Sequence, residues 1–387
     1  MVKQFSIKCG KIINSSGILK NSYINIKEKT IESIGYEPAH SEVVDHGNDI
    51  AFPGFIDIHT HGYYGVDASF ASSKELHYWA KLLAKNGVTS FIPTCVSLPN
   101  YELKKFIDNV KEAMKHQLDS EARIIGARSE GPFISLKRKG AHNSNYIREI
   151  DLDEIQDIIA YGKGVLKIID MAPEIKNFSL AMPLFYKNGI IVSIGHTDSD
   201  YFTSKNALSS GVKLITHFYN AMTQFDHRNP GAVGAGFLSS NANLEIISDF
   251  HHVSRESIEV MIKNAGYDYV IEITDSLSIG GTGNKDGNLG GIDIEVKDGV
   301  VYIKNTDKLA GSVLTMHQAY LNLKSMDIQP VNISKLLSYN VSQLLNINNG
   351  DISPGKIADI CFIDNSDKIT DTLVSGKSTS NCENGEE

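Results

Sequence analysis

Long apolar runs are missing from this chain of 387 residues, and no stretch approaches the roughly 20 apolar residues that a membrane helix needs. Cysteine is scarce. Cys9, Cys95, Cys361 and Cys382 are dispersed without C-x-x-C spacing, which speaks against both a disulfide framework and a thiolate zinc site. An excess of positive charge is also lacking: 37 Lys and Arg stand against 46 Asp and Glu, for a formal net charge of -9. That balance excludes general binding to nucleic acid or to an anionic membrane, while an anionic small ligand held by local basic groups stays open. The opening residues Met1-Val2-Lys3-Gln4-Phe5-Ser6 have no apolar signal core, so a soluble cytoplasmic protein is expected. No nucleotide-type glycine loop is present either. Gly280-Gly281-Thr282-Gly283 matches neither G-x-G-x-x-G nor a P-loop and reads as a mobile surface loop.

What is present is an ordinary globular composition, 41% hydrophobic and 21% charged, long enough for one large domain and a smaller one. Near the start, short β-like runs (5–7, 11–13, 23–26, 30–34) alternate with turn residues such as Asn14-Ser15-Ser16-Gly17 and predict a small antiparallel sheet. The same pattern returns after Gly350. The two ends, 1–52 and 350–378, therefore form one discontinuous domain, and 379–387 is a polar, disordered tail. Between them, in 53–349, apolar runs alternate with helical stretches such as 73–85 and 101–115. The runs at 55–59, 88–94, 123–129, 165–171, 190–194, 212–215, 244–248 and 269–273 make eight candidate strands. Eight βα units over this length predict an α/β fold of the (β/α)₈ barrel type, a TIM barrel.

A parallel barrel gathers its strand ends at one mouth, and the polar residues there are informative. In Phe55-Ile56-Asp57-Ile58-His59-Thr60-His61 the period of two puts Asp57, His59 and His61 on one side, so two imidazoles converge at one strand end. Glu130 closes the third strand, where a carboxylate is costly to bury without a cation or strong hydrogen bonds. A structural salt bridge is the plainer alternative. His196 and His217 end the fifth and sixth strands, and with Glu130 they form a His₂-carboxylate set that leaves a coordination position open for water. Each histidine alone is more commonly a satisfied core residue. Asp275 closes the last strand and is the candidate acid/base that takes a proton from water and passes it to a leaving group. An N-cap or loop salt bridge is its alternative role.

These segments, together with Glu130-Gly131-Pro132-Phe133, Lys137-Arg138-Lys139-Gly140-Ala141-His142, Gly195-His196-Thr197-Asp198, Thr216-His217-Phe218-Tyr219-Asn220-Ala221-Met222, Thr274-Asp275-Ser276 and Leu309-Ala310-Gly311-Ser312, resemble the amidohydrolase superfamily, in its N-acetylhexosamine-6-phosphate deacetylase branch. The resemblance implies a (β/α)₈ barrel with a small β-sandwich domain, a homodimer, and removal of acetate from a hexosamine 6-phosphate. N-acetylglucosamine 6-phosphate is the implied substrate, with the galactosamine epimer or another amide as the alternative. It further implies that Glu130, His196 and His217 hold the main divalent metal, that His59 and His61 hold a second, and that zinc or iron fills these one or two sites per subunit. Ala141 and His142 would meet the substrate, with His142 stabilising the oxyanion. Asn220, Ala221, Arg228 and His252 would meet the sugar phosphate, Arg228 reaching the neighbouring subunit's site in a dimer. Leu309, Ala310 and Gly311 would close over the acetamide.

The chain departs from that pattern at Ser135-Leu136, where Asn-Pro is common, and at Phe250, where glycine is common. A bulky Phe250 beside His252 is expected to reshape the phosphate end of the pocket, and His251 competes with His252 for the phosphate role. The run Lys137-Arg138-Lys139 either steers anions to the mouth or is a solvated charge run. A non-catalytic sugar-phosphate-binding protein that kept the barrel is a third reading, opposed by the retention of the metal ligands together with Asp275.

Overall fold

At the first turn Asn14 Oδ1 accepts from the N–H groups of Ser16, at 3.0 Å, and Gly17, at 2.9 Å, and so reverses strand Gln4–Asn14 into Gly17–Lys27. This hairpin anchors an eight-stranded sheet built from both chain ends, described in a computed structural model of residues 3–380. Ile360–Ile363 pairs antiparallel with Ile50–Pro53 and stitches the late strands onto the early ones. All its strands belong to one hydrogen-bonded ladder, and the edge strand Thr30–Gly35 turns back to bridge Ile357, so the sheet wraps its own core of Phe5, Ile12, Ile24, Ile360 and Phe362. Of the tail expected at 379–387, residues 381–387 lie outside the described residues.

One residue after Pro53, strand Phe55–Thr60 opens the barrel. From it the sheet runs in parallel through Val88–Cys95, Ala127–Glu130, Leu166–Met171, Ile191–Ile194, Leu214–Ile215, Asn243–Ile246 and Val270–Glu272. Parallel strands covered on both faces read as continuous apolar runs, and every residue of Val88–Cys95 is buried. The circle closes where Asp275 N–H donates to His59 O at 2.9 Å and His61 N–H donates to Ser276 O at 2.8 Å. The run expected at 123–129 divides into Arg123–Ile124 and Ala127–Glu130. Gly126 lies between them, where a Cβ would stand 2.2 Å from Lys167 Cγ.

Helix Ser73–Lys85 follows the first strand, started by a capping box between Ser72 and Glu75, and buries Trp79 edge-on against Phe91 at 4.9 Å between ring centroids. No helix of the described residues is long and apolar enough to cross a membrane. Beyond the last barrel strand the structure departs from expectation. The start of the stretch 280–283 is packed, while Gly281 and Gly283 are exposed: Tyr64 N–H donates to Gly280 O at 2.8 Å, and a Cβ on Gly280 would come within 2.3 Å of the Tyr63 ring. It leads into an antiparallel sheet of Asp286–Leu289, Ile292–Lys297 and Val300–Ile303, which stands over the mouth and carries Leu289 to its edge.

Candidate active site

Three site residues sit where the chain leaves a barrel strand in a left-handed turn: His196 with φ 48°, His217 with φ 28° and Asp275 with φ 49°. Such backbone costs an L-residue about 1–2 kcal/mol. Neighbouring main chain holds it in place, as Thr197 N–H donates to Ala221 O at 3.1 Å and Phe218 N–H to Glu245 O at 2.8 Å. The side chains are thereby turned off the barrel wall and into the mouth.

There they converge. Glu130 Oε1 lies 2.9 Å from His196 Nε2 and 3.1 Å from His217 Nε2, while Oε2 lies 3.1 Å from both His61 Nε2 and His142 Nε2. Asp275 Oδ1 lies 3.1 Å from His61 Nε2 and 3.5 Å from His59 Nε2. Two groups of suitably spaced donors result, His59 with His61 and Asp275, and Glu130 with His142 and His196. Ring tautomers decide which of these nitrogens are free. His61 Nδ1 faces Thr94 O at 3.0 Å and His196 Nδ1 faces Arg138 O at 2.8 Å, and a carbonyl only accepts. Both rings therefore keep a proton on Nδ1, which leaves Nε2 as the nitrogen that faces the centre to take a metal or a second proton. The Nε2 atoms of His196 and His217 face each other at 3.1 Å, and those of His59 and His61 at 3.3 Å. Lone pairs so opposed call for a cation between them, and the carboxylate and imidazole donors fit a divalent metal.

His142 differs. Its Nδ1 accepts from the main-chain N–H of Ser97 at 3.1 Å, so the proton sits on Nε2. It lies in one of the two donor groups, yet this tautomer makes it a hydrogen-bond donor toward the cavity instead of a metal ligand. Burial pushes its pKa down to about 4, against the pull of Glu130, and keeps the ring neutral.

The carboxylates dominate the field. Burial opposes charge on His61, yet Glu130 and Asp275 hold it up at about 10; His59, also opposed by burial and by Arg128, stands at about 9. Burial pushes Asp275 up, but His59 and His61 bring it to about 2, and Glu130 is likewise held well below its usual range, chiefly by His142 and His196. Positive charge in this pocket is thus demanded, as protons on imidazoles or as a metal ion in their place.

The residues line a cavity of about 460 Å³. His61, Glu130, His142, His196, His217 and Asp275 form its floor, with His59 fully buried behind them. Ala141, Asn220, Ala221 and His252 form one wall, and Leu309, Ala310 and Gly311 the other. Gly311, at φ 50°, lets that wall lie close, since a Cβ there would meet Asp275 O at 2.9 Å. His252, not the exposed His251, faces the cavity; Asp249 Oδ2 lies 2.6 Å from its Nδ1. Burial disfavours its charge, but Asp249 raises its pKa overall, which suits an anion. Arg228 is exposed and absent from the cavity lining.

Phe250 does not intrude as expected. It stands outside the lining residues, with the Arg255 guanidinium 4.2 Å from its ring centroid, and its φ of 64° is one that glycine adopts freely. Lys137 and Arg138 do reach the rim, but Asp198 pairs with both, at 3.0 and 2.9 Å, and Lys139 Nζ donates to His142 O at 3.0 Å. One carboxylate thus faces two of the three cations, and the run stays net positive. Lys308, which the sequence reading passed over, also lines the cavity.

Beneath the floor lies an ionic layer that was not anticipated. Arg128, with no exposed surface, donates Nε to Asp170 Oδ2 at 2.9 Å and NH1 to Glu245 Oε1 at 2.5 Å, and also reaches Ile58 O and Thr216 Oγ1. A signal was available, because all three charged residues fall inside runs read as buried strands, where an unpaired charge is untenable.

A closed parallel barrel with a cluster of histidines and carboxylates at its C-terminal mouth defines a metal-dependent hydrolase, and the model of the Amidohydrolase family matches residues 50–379. The chain belongs to the amidohydrolase family and is a metal-dependent enzyme of it. It is similar to the N-acetylglucosamine-6-phosphate deacetylase of Vibrio furnissii, 33% identical over 341 residues covering 87% of this chain and 85% of the relative. That of Lysinibacillus sphaericus is 31% identical over 374 residues, 95% of each chain. Among solved structures, the N-acetylglucosamine-6-phosphate deacetylase of Thermotoga maritima superposes with a TM-score of 0.88 at 28% identity, covering 97% of this chain and 99% of that one.

Proposed function

We propose that the enzyme hydrolyses N-acetylglucosamine 6-phosphate to glucosamine 6-phosphate and acetate. What carries this reading is the cavity: converging metal donors, a neutral imidazole donor and a half-buried histidine backed by a carboxylate line one space, in a chain similar over most of its length to deacetylases of that substrate. Glu130, His196 and His217 hold the main ion, zinc or iron, and His59 and His61 a second. A divalent cation there supplies Lewis-acid polarisation of the amide carbonyl and makes water acidic enough to attack near neutral pH.

The chain's own groups do the rest. Asp275, ionised and buried, takes the proton of the attacking water and returns it to the departing amine. His142 Nε2–H donates to the carbonyl oxygen as negative charge develops on it, and the Ser97 N–H keeps that proton in place. His252, Asn220 and the backbone of Ala221 receive the phosphate. Leu309, Ala310 and Gly311 pack on the acetamide. Arg228 completes the phosphate site of the neighbouring subunit in a homodimer, as a guanidinium suits bidentate phosphate binding. The enzyme works in the cytoplasm.

Acetate release from N-acetylglucosamine 6-phosphate, N-acetylgalactosamine 6-phosphate and both unphosphorylated sugars, measured on protein of known metal content, tests this reading. The glucosamine phosphate should give the highest kcat/KM. Equal turnover of the unphosphorylated sugar would remove the phosphate assignment, and no turnover by fully metallated protein would remove the activity.

A further inference from the structure

The four ligand imidazoles differ in what stands behind them. His61 Nδ1 is backed by the carbonyl of Thr94 and His196 Nδ1 by that of Arg138, while His217 Nδ1 has no hydrogen-bond partner among the described residues. Only His59 is backed by a carboxylate: its Nδ1 lies 3.2 Å from Glu245 Oε2. Glu245, on strand Asn243–Ile246, has no exposed surface and is itself held from two sides, by Arg128 NH1 at 2.5 Å and by the main-chain N–H of His217 at 3.2 Å. Arg128 is shared with Asp170, so one guanidinium faces two carboxylates and the layer carries one negative charge in excess. The Nδ1–H of His59 is what that excess meets on the cavity side.

A carboxylate behind a ligating imidazole fixes the ring tautomer and raises its basicity as a ligand. We infer that Glu245 is a positioning residue for the group His59, His61 and Asp275, holding the Nε2 lone pair of His59 toward the cavity and setting how tightly this group, rather than Glu130 with His196 and His217, binds a divalent cation. The inference rests on the proposed two-ion reading of the mouth. It predicts an asymmetry: disturbing the ionic layer at Glu245 weakens one ion, whereas disturbing it at Asp170, which touches Arg128 and Thr216 but not His59, leaves both.

The test is titration of metal-free protein with Co²⁺ in competition with a chromophoric chelator, for the unaltered chain, Glu245→Gln and Asp170→Asn. Each variant removes one negative charge from the same buried layer. The unaltered protein should bind two ions. Glu245→Gln should move one step to about 10–100-fold higher Co²⁺, while Asp170→Asn leaves both steps within about threefold. If Glu245→Gln does not fold, by circular dichroism, Glu245→Asp keeps the charge but draws the carboxylate back from His59, and the same single-step loss is expected. Two unshifted steps in the Glu245 variant, equal shifts in both variants, or a single ion in the unaltered protein that Glu245→Gln leaves in place would overturn the inference. Failure of the unaltered protein to bind any Co²⁺ would instead overturn the metal reading beneath it.

Discussion

Replacing Arg128 with methionine removes the guanidinium from the layer beneath the site while keeping an unbranched side chain. The guanidinium donates to both oxygens of Asp170, at 2.8 and 2.9 Å, and to both of Glu245, at 2.5 and 3.1 Å, and none of the three side chains is exposed. Removing one partner of a buried ion pair costs about 3–5 kcal/mol. Here two carboxylates lose the same cation, so about 3 kcal/mol is the least expected at pH 7.5, a large share of the about 5–15 kcal/mol that holds a typical domain together. The sign of the pH response is fixed as well. In the unaltered protein burial raises Glu245, but Arg128 and His59 depress it to about 2; its stabilisation is therefore full above the usual carboxylate range and lost only as pH falls toward 2. In the variant burial raises the stranded Glu245 carboxyl. It then contributes a penalty that grows as pH rises, by up to about 1.4 kcal/mol per pH unit. Urea unfolding of metal-free protein at pH 7.5 and pH 5 reads both effects, and the deficit should be smaller at pH 5. A loss below about 1 kcal/mol at pH 7.5, or one that does not change with pH, would refute the reasoning.

Asp275→Asn should lower kcat by about 10²–10⁴-fold through loss of the proton acceptor while the substrate still binds, and single-turnover acetate release at the normal rate would dismiss Asp275 as the base. Arg228→Ala should raise KM for the phosphorylated sugar by about 10–100-fold, the worth of a charge-assisted hydrogen bond, and leave kcat nearly unchanged. An unaltered KM would show that the exposed guanidinium never meets phosphate. Because His59 and His61 are held at about 9 and 10 in the metal-free protein, both are protonated at pH 7.5. Loading the site should release about two protons and tighten as pH rises. Calorimetry in buffers of different ionisation enthalpy measures that release, and heats that are the same in each buffer would contradict it.

Much of the barrel could be read from the chain because buried parallel strands are short apolar runs with polar residues at their ends. His196 and His217 stand two residues beyond such a strand and Asp275 three. Glu130 closes a strand whose run was read whole but divides at Gly126. The sheet of Asp286–Leu289, Ile292–Lys297 and Val300–Ile303 went unread although Ile292–Lys297 alternates apolar and charged residues up to the Asp298-Gly299 turn, because its strands are short, half-exposed and follow a glycine-rich stretch. Arg128, Asp170 and Glu245 were passed over for a different reason: each looks like a lone charge inside an apolar run, and only their proximity makes them a network.

By itself the sequence determined which residues stand at the ends of barrel strands, and hence that imidazoles and carboxylates share one mouth, because strand periodicity and length set the side and end at which a residue emerges. It could not determine the distances between them or which ring nitrogen is free, since those depend on partners far off in the chain: Ser97 for His142 and Glu245 for His59. Tertiary structure alone placed Arg228 outside its own chain's cavity and turned Phe250 toward Arg255, because a loop's course follows from packing and not from local pattern.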